Sequence, residues 1–416
     1  MKELGRFSVG TGDRFGREGA AQIAAFAELR TRGVQVDIVW NKSNREHNII
    51  GTEPADQQAA AASAVKATGW KGTWFVDADH VGLGTVDRFI PHCDFFTLDV
   101  ADFIGKAADP SAVDAFVKRH ADLSKVDVPS CPLPLDLSPA RVLAAAERYL
   151  VAVGEAAQVY RRVAEKKGAG TFVAEVSMDE TETPQSPAEL LVILAALADE
   201  GVPVATVAPK FTGRFNKGMD YVGDVAGFLK EFEADARVAR RASELFGHPK
   251  GLKLSVHSGS DKYALYPGIG RIIRSGGFGL HLKTAGTTWL EELVGLAEAG
   301  GEGLQVAKDV YRQAYGRFDE LVAPYAAVVD IKRGALPKPE QVDSWNASAF
   351  AAALRHVKGG TAMDPNLRQL LHVGFKVAAQ MGSRWFDALD AHEAVVGRNV
   401  TANLYERHLV PLFLEA

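Results

Sequence analysis

Three histidines stand at the ends of separate apolar runs. His80 closes "TWFVDADHVG", His257 closes the strand-like part of "GLKLSVHSGSDKY", and His281 lies in "FGLHLKTAGTTW". Carboxylates accompany them: Asp77 and Asp79 just before His80, and Glu175 within "TFVAEVSMDE". Two or three imidazoles and a carboxylate, brought together from different segments, make a usual catalytic site for a divalent transition metal with open positions. Nitrogen and oxygen donors of this kind admit Zn, Mn, Ni, Co or Fe. No contiguous HExxH-type motif is present. A single such histidine would be read as a hydrogen-bonded strand-end residue, so it is the grouping that carries the metal reading.

A second set of residues suits an anion. Arg14 follows "GTG", a tight turn whose backbone N–H groups can meet an oxyanion. Lys210, Arg214, Lys262 and Lys283 add positive charge at the ends of other runs. A guanidinium grips a carboxylate in bidentate fashion, whereas a lysine acts as a point charge. Each of these cations could equally well neutralise a neighbouring aspartate. "HSGSDK" and "KTAGTT" offer hydroxyls and glycines where a polyhydroxylated ligand could approach the backbone.

The elements that must position these groups recur along the chain. Eight β-branched and aromatic runs begin near residues 6, 34, 72, 94, 171, 203, 251 and 278, and most lead into an alanine- and leucine-rich stretch of helical period. Among the helices expected are Gly19–Arg30, Pro54–Ala67, Pro187–Asp199 and Tyr221–Glu244. Strands alternating with helices imply a parallel sheet with covered faces, and eight units imply a closed (β/α)8 TIM-type barrel over residues 1–300. Active sites of such barrels gather at the C-terminal ends of the strands, where every residue named above falls. An open doubly wound sheet is the rival architecture. The glycines of "VGTGDRFG" do not have the G-x-G-x-x-G spacing of a dinucleotide site, which argues against it. Two additions to the barrel are expected. Residues 104–170, after strand four, read as two helices flanking a proline-rich turn that could cap one end. Residues 301–416 read as a helical extension that packs on the barrel's flank or forms a contact between copies of the chain.

Composition narrows the function. The 416 residues are 47% hydrophobic and 24% charged with a net charge of −5, which suggests neither a nucleic-acid partner nor a membrane one. The two cysteines, Cys93 and Cys131, form no CxxC pair, and a disulfide framework is not expected. The N-terminal residues lack the apolar stretch of a signal peptide, and no run approaches the ~20 apolar residues of a membrane helix. The expectation is a soluble, cytoplasmic protein acting on a small molecule.

The stretches "GTGDRFG", "DADHVG", "FFTLDVADF", "HSGSDKY" and "HLKTAGTTWLE" together resemble, in order and context, motifs of the tagaturonate epimerase family. The resemblance covers roughly residues 6–290. It implies a metal-dependent epimerase that inverts C4 of tagaturonate or fructuronate, relatives acting on tagatose and fructose. C4 is β to the C2 ketone, so its proton is not acidified by an adjacent carbonyl and simple deprotonation is implausible. Reversible retro-aldol cleavage of C3–C4 avoids that difficulty, whereas transient oxidation would need a nicotinamide for which no fingerprint exists. On this resemblance His80, Glu175, His257 and His281 are the metal-ligand candidates. Asp79 is the favoured acid/base, with Asp77 or Asp261 second, while Arg14, Asp13, Lys210, Ser258 and Lys283 would bind substrate. Another metal-dependent sugar isomerase or a class II-like aldolase is the nearest alternative, and a non-catalytic carbohydrate-binding protein a distant one.

Overall fold

The computed structural model describes residues 3–414. Eight parallel strands close into a barrel in chain order. They are β1 (Phe7–Gly12), β2 (Asp37–Ser43), β3 (Trp74–Val81), β4 (Phe95–Asp99), β5 (Val173–Ser177), β6 (Thr206–Ala208), β7 (Lys253–His257) and β8 (Leu280–Lys283). Closure comes from β8 pairing with β1, Phe7 opposite Leu280 through Gly10 opposite Lys283. The fold is therefore the expected (β/α)8 barrel, with its helical additions.

Side-chain alternation along each strand separates two interiors. Val76, Ala78, Phe96, Leu98, Val207, Leu254, Val256, Leu280 and Leu282 face outward and are buried against the surrounding helices. Inside the barrel, Val39, Phe75, Phe95 and Val173 form a small apolar plug. Above that plug the inward positions turn polar on most strands, with Asn41, Asp77, Thr97, Glu175, His257 and Lys283 among them, while β1 presents Gly10 and β6 ends on Ala208. Gly10 illustrates the crowding there, because a Cβ on it would come within 2.5 Å of Asn41 Oδ1 and 2.9 Å of Lys283 Cγ. Gly10 thus makes room for side chains from neighbouring strands, and Gly12 for the backbone of Ala285 just after β8.

The helices Gly19–Thr31, Pro54–Thr68 and Pro187–Asp199 form close to the expected positions, and Val225–Phe246 starts four residues later than the sequence suggested. Proline opens two of them, where its missing N–H costs nothing. The insertion after β4 contains the two expected helices, Pro110–Arg119 and Pro139–Lys167. The longer one packs against β4 and against Pro187–Asp199, which makes it the crossover helix of the barrel wall and not a cap. Cys93 and Cys131 are both free. Among the described residues no helix is long and apolar enough to cross a membrane.

The helical extension begins with Gly301–Gly316 and has its own apolar cluster, into which the last barrel helix, Thr287–Ala299, is fully absorbed. It does more than flank the barrel. Tyr325 lies against Arg45, Phe375 against Arg14, and His372 beside Gly286, so the extension leans over the C-terminal ends of β1, β2 and β8.

Candidate active site

At the mouth of the barrel, Lys283 is enclosed by carboxylates from other strands. Its Nζ lies 2.9 Å from Asp77 Oδ2, 2.8 Å from Asp79 Oδ1 and 3.0 Å from Glu175 Oε1, and it also donates to the Thr97 hydroxyl. Burial alone would pull the lysine's pKa down, but three acids outweigh it and the ammonium is held firmly charged. The carboxylates respond unequally. Asp77 is fully buried, and burial pushes it up to about 6, helped by Asp79 and Glu175, although Lys283 opposes the rise. Burial acts in the same sense on Asp79, but Lys283 and His80 outweigh it and keep Asp79 below its usual value. Asp79 is also the more open of the two, at 9% exposure. Asn41 Nδ2 and the Thr97 hydroxyl satisfy Asp77 from the sides.

A histidine pair adjoins this network. His257 Nε2 faces Glu175 Oε1 at 2.9 Å, and its Nδ1 lies 3.2 Å from Asp179 Oδ2. His80 Nδ1 faces Asp99 Oδ2 at 3.2 Å, and the two imidazole rings meet edge to face with centroids 5.2 Å apart. His80 reaches the mouth through a defect in β3. Between Ala78 and Val81 the register slips so that Asp79 and His80 together oppose Thr97 of β4, and His80 takes a φ of +52°. Simple alternation would have sent His80 outward with Val76 and Ala78. The bulge turns it inward beside Asp79.

One ligand atom each from His80, Asp179 and His257 lies within 4.8 Å of the others, and His80, Asp99 and Glu180 make an overlapping group. Two observations test whether these residues fit a divalent cation. First, His257 Nδ1 is buried 3.2 Å from Asp179 Oδ2 without the alignment of a good hydrogen bond, as expected for two donors turned to a common point. Second, the surroundings are too negative for their own cations. His257 is pushed up to about 9 because Asp179 and Glu175 overcome the burial penalty, and the carboxylates around His80 do the same there. A divalent cation would meet that excess without requiring protonated imidazoles. The donor set fits.

The remaining residues singled out in the sequence are distributed differently. His281 lies one inward position below Lys283, bonded through Nδ1 to Ser8 Oγ at 2.9 Å and packed on Phe95. Burial lowers it to about 3, and it is not part of the ligand-atom group. Asp13 is occupied in shaping its turn, accepting from the backbone N–H groups of Gly16, Arg17 and Glu18. The Ser258 hydroxyl donates to the Lys283 carbonyl, tying β7 to β8. Asp261 is fully buried against residues of the helical extension: Arg368 Nη2 at 2.7 Å, His356 at 3.2 Å and His408 at 3.4 Å. Its surroundings are those of a joint between barrel and extension, and the structure does not bring it to the lysine-centred cluster. Lys210 is held through its backbone N–H by Gln185, and its ammonium forms no ion pair among the described residues. Arg14 stays near the mouth, pairing with Glu46 at 2.8 Å while its guanidinium stacks over Phe375. Asp179 and Asp99 stand among the charged strand ends in the sequence but carry no assigned role there, and Thr97 has no such mark. Asp179 continues the inward parity of Glu175 and Ser177, and that spacing was the available signal.

With this geometry in view, the similarities of the chain are informative. The family model described as UxaE, tagaturonate epimerase, matches residues 2–409. The chain belongs to the tagaturonate epimerase family. A tagaturonate/fructuronate epimerase of Thermotoga maritima is 28% identical over 418 aligned positions, covering 97% of this chain and 80% of that relative. Among solved structures, a two-glycerol complex of the fructuronate-tagaturonate epimerase UxaE from Cohnella laeviribosi superposes with a TM-score of 0.79 at 24% identity. It covers 99% of this chain and 82% of the other. The native structure of that enzyme gives a TM-score of 0.75 over 98% of this chain and 81% of its own. These structural likenesses show a shared fold, and the family membership makes the polar mouth of the barrel the place to look for epimerase chemistry.

Proposed function

We propose that this protein interconverts tagaturonate and fructuronate by inverting C4 through retro-aldol cleavage, with a divalent metal ion held by His80, Asp179 and His257. The observation that carries the reading is the ionised Asp79, paired with Lys283 and adjoining a cation-hungry histidine–carboxylate group at the open end of the barrel. A bound divalent ion would supply Lewis-acid stabilisation to the ketone end of the substrate as the C3–C4 bond opens. Asp79 Oδ1 takes the proton of the C4 hydroxyl. The C3–C4 electron pair moves into the C2–C3 unit, leaving an enediolate and an aldehyde at C4. Lys283 keeps Asp79 anionic before the proton arrives and orients it through a 2.8 Å contact. Rotation of the aldehyde presents its other face, and Asp79 returns the proton as the bond re-forms. Glu175 holds His257 at 2.9 Å, and Asp77, satisfied by Asn41 and Thr97, supports Lys283 from below.

This route never breaks the C4–H bond. Tagaturonate deuterated at C4 is therefore expected to give fructuronate with its label intact, in turnover that a chelator stops and added metal restores. Exchange of the label with solvent would overturn the retro-aldol route, and chelator-resistant turnover would overturn the metal. Steady release of three-carbon fragments would mark an aldolase instead.

A further inference from the structure

Beside the ligand group lies a cluster of cations that the chemistry above does not use. Arg14, 7% exposed, donates through Nε to Glu46, while its Nη1 is buried without any hydrogen-bond partner. Arg45 and Lys217 approach the same Tyr325 ring, at 4.8 and 5.6 Å from its centroid, and neither is in an ion pair among the described residues. Burial lowers the Lys217 pKa, and Arg45 and Arg14 lower it further, so the three positive charges sense one another. His372, 1% exposed, has neither ring nitrogen partnered and is kept neutral by burial and by Arg14 and Lys217. Acidic compensation is thin. Glu46 is committed to Arg14 and to the backbone of Ser43, and Glu180 belongs with the His80 and Asp99 donors.

Like charges gathered around a largely buried ring, one of them on Arg14 almost fully enclosed, raise the energy of the free protein unless an anion completes them. The pocket adjoins the reaction centre, because Glu46, bonded to Arg14, feels the charge of Asp79. A hexulosonate held by its ketone at the ligand group, with C4 at Asp79, extends its carboxylate beyond Asp79. We infer that Arg14, Arg45 and Lys217, walled by Tyr325, His372 and Phe375 of the helical extension, form the subsite for the carboxylate of a sugar acid. The extension thereby selects the acid over the neutral ketose. The inference rests on the substrate class proposed above.

The test compares kcat/KM for tagaturonate and for tagatose in the wild type, Arg45→Gln, Lys217→Met and Lys217→Arg. Loss of one charge-assisted hydrogen bond to a carboxylate should lower the tagaturonate-to-tagatose ratio by about 10- to 100-fold in Lys217→Met, with partial recovery in Lys217→Arg. Arg45 is exposed, so Arg45→Gln keeps the fold secure should Lys217→Met prove unstable. A ratio unchanged within twofold, or an equal fall for both sugars, would overturn the subsite. Calorimetric titration with tagaturonate and with tagatose separates this inference from the proposed reaction. If the wild type inverts neither sugar, the C4 reading fails. Weakened tagaturonate binding in the variants would then still support the subsite, and undiminished binding would refute it.

Discussion

Lys283 shows how a residue's type can be legible while its partners are not. Its place at the end of β8 marked it for the site, and its charge suggested a hold on substrate. The structure instead surrounds it with Asp77, Asp79 and Glu175, contacts that depend on the register of three other strands and cannot be read along one. The same network distinguishes the acids: Asp79 is the less deeply buried and stays anionic, and Asp77 is fully buried and pushed up to about 6. Asp79→Asn keeps the side chain's shape and removes the proton acceptor. It is expected to lower kcat by about 10²–10⁴-fold while the bound metal, measured by elemental analysis, stays at the wild-type level. His257→Ala should lose the metal along with activity. Metal loss in Asp79→Asn, or full metal content in His257→Ala, would exchange the roles assigned to the two residues.

At the scale of the element, β3 shows why the end of "TWFVDADHVG" resisted a reading by alternation. Phe75, Asp77 and Asp79 share the inward parity, which puts His80 on the wrong face. The bulge opposite Thr97 and the left-handed backbone at His80 bring two consecutive side chains to one mouth. A non-glycine residue in that conformation costs roughly 1–2 kcal/mol, a strain of the kind that gathers at functional sites. Substitution exposes it. Alanine in a strand ordinarily outlasts glycine by about 0.5–1 kcal/mol, but at position 80 the order should reverse. His80→Gly is expected to be more stable than His80→Ala by about 1 kcal/mol in urea unfolding, with neither variant active. If alanine were the more stable, the bulge would carry no strain worth naming. Strand positions and the helices Gly19–Thr31 and Pro187–Asp199 were legible because periodicity and N-terminal prolines are local signals. The bulge was not, since it is defined only against β4.

For the molecule as a whole, the helical extension is the part the sequence left most open. Its helices were legible, but not their course over the barrel mouth, which depends on contacts between residues more than a hundred positions apart. Asp261 is the clearest of these. Its carboxylate accepts from Arg368 Nη2 at 2.7 Å and Thr287 Oγ1 at 3.3 Å, with His356 and His408 alongside. Arg368 is fully buried and spends its other nitrogens on the carbonyls of Gly218 and Leu354. The pair thus joins the loop after β7, the loop after β6 and the extension. Breaking a buried pair by removing one partner typically costs 3–5 kcal/mol, whereas replacing both by apolar groups can be nearly neutral. Asp261→Asn is therefore expected to lose about 3–5 kcal/mol in urea unfolding, because the guanidinium stays buried without its counter-charge. The double variant Asp261→Leu with Arg368→Met should recover most of that loss. A cost below about 1 kcal/mol for Asp261→Asn, or a double variant worse than the single, would mean that the extension is held to the barrel by its apolar cluster alone. If the joint behaves as expected, the walls of the carboxylate subsite share it. His372 lies one helical turn beyond Arg368 in Pro365–Val373, so Asp261→Asn should also raise KM for tagaturonate more than for tagatose.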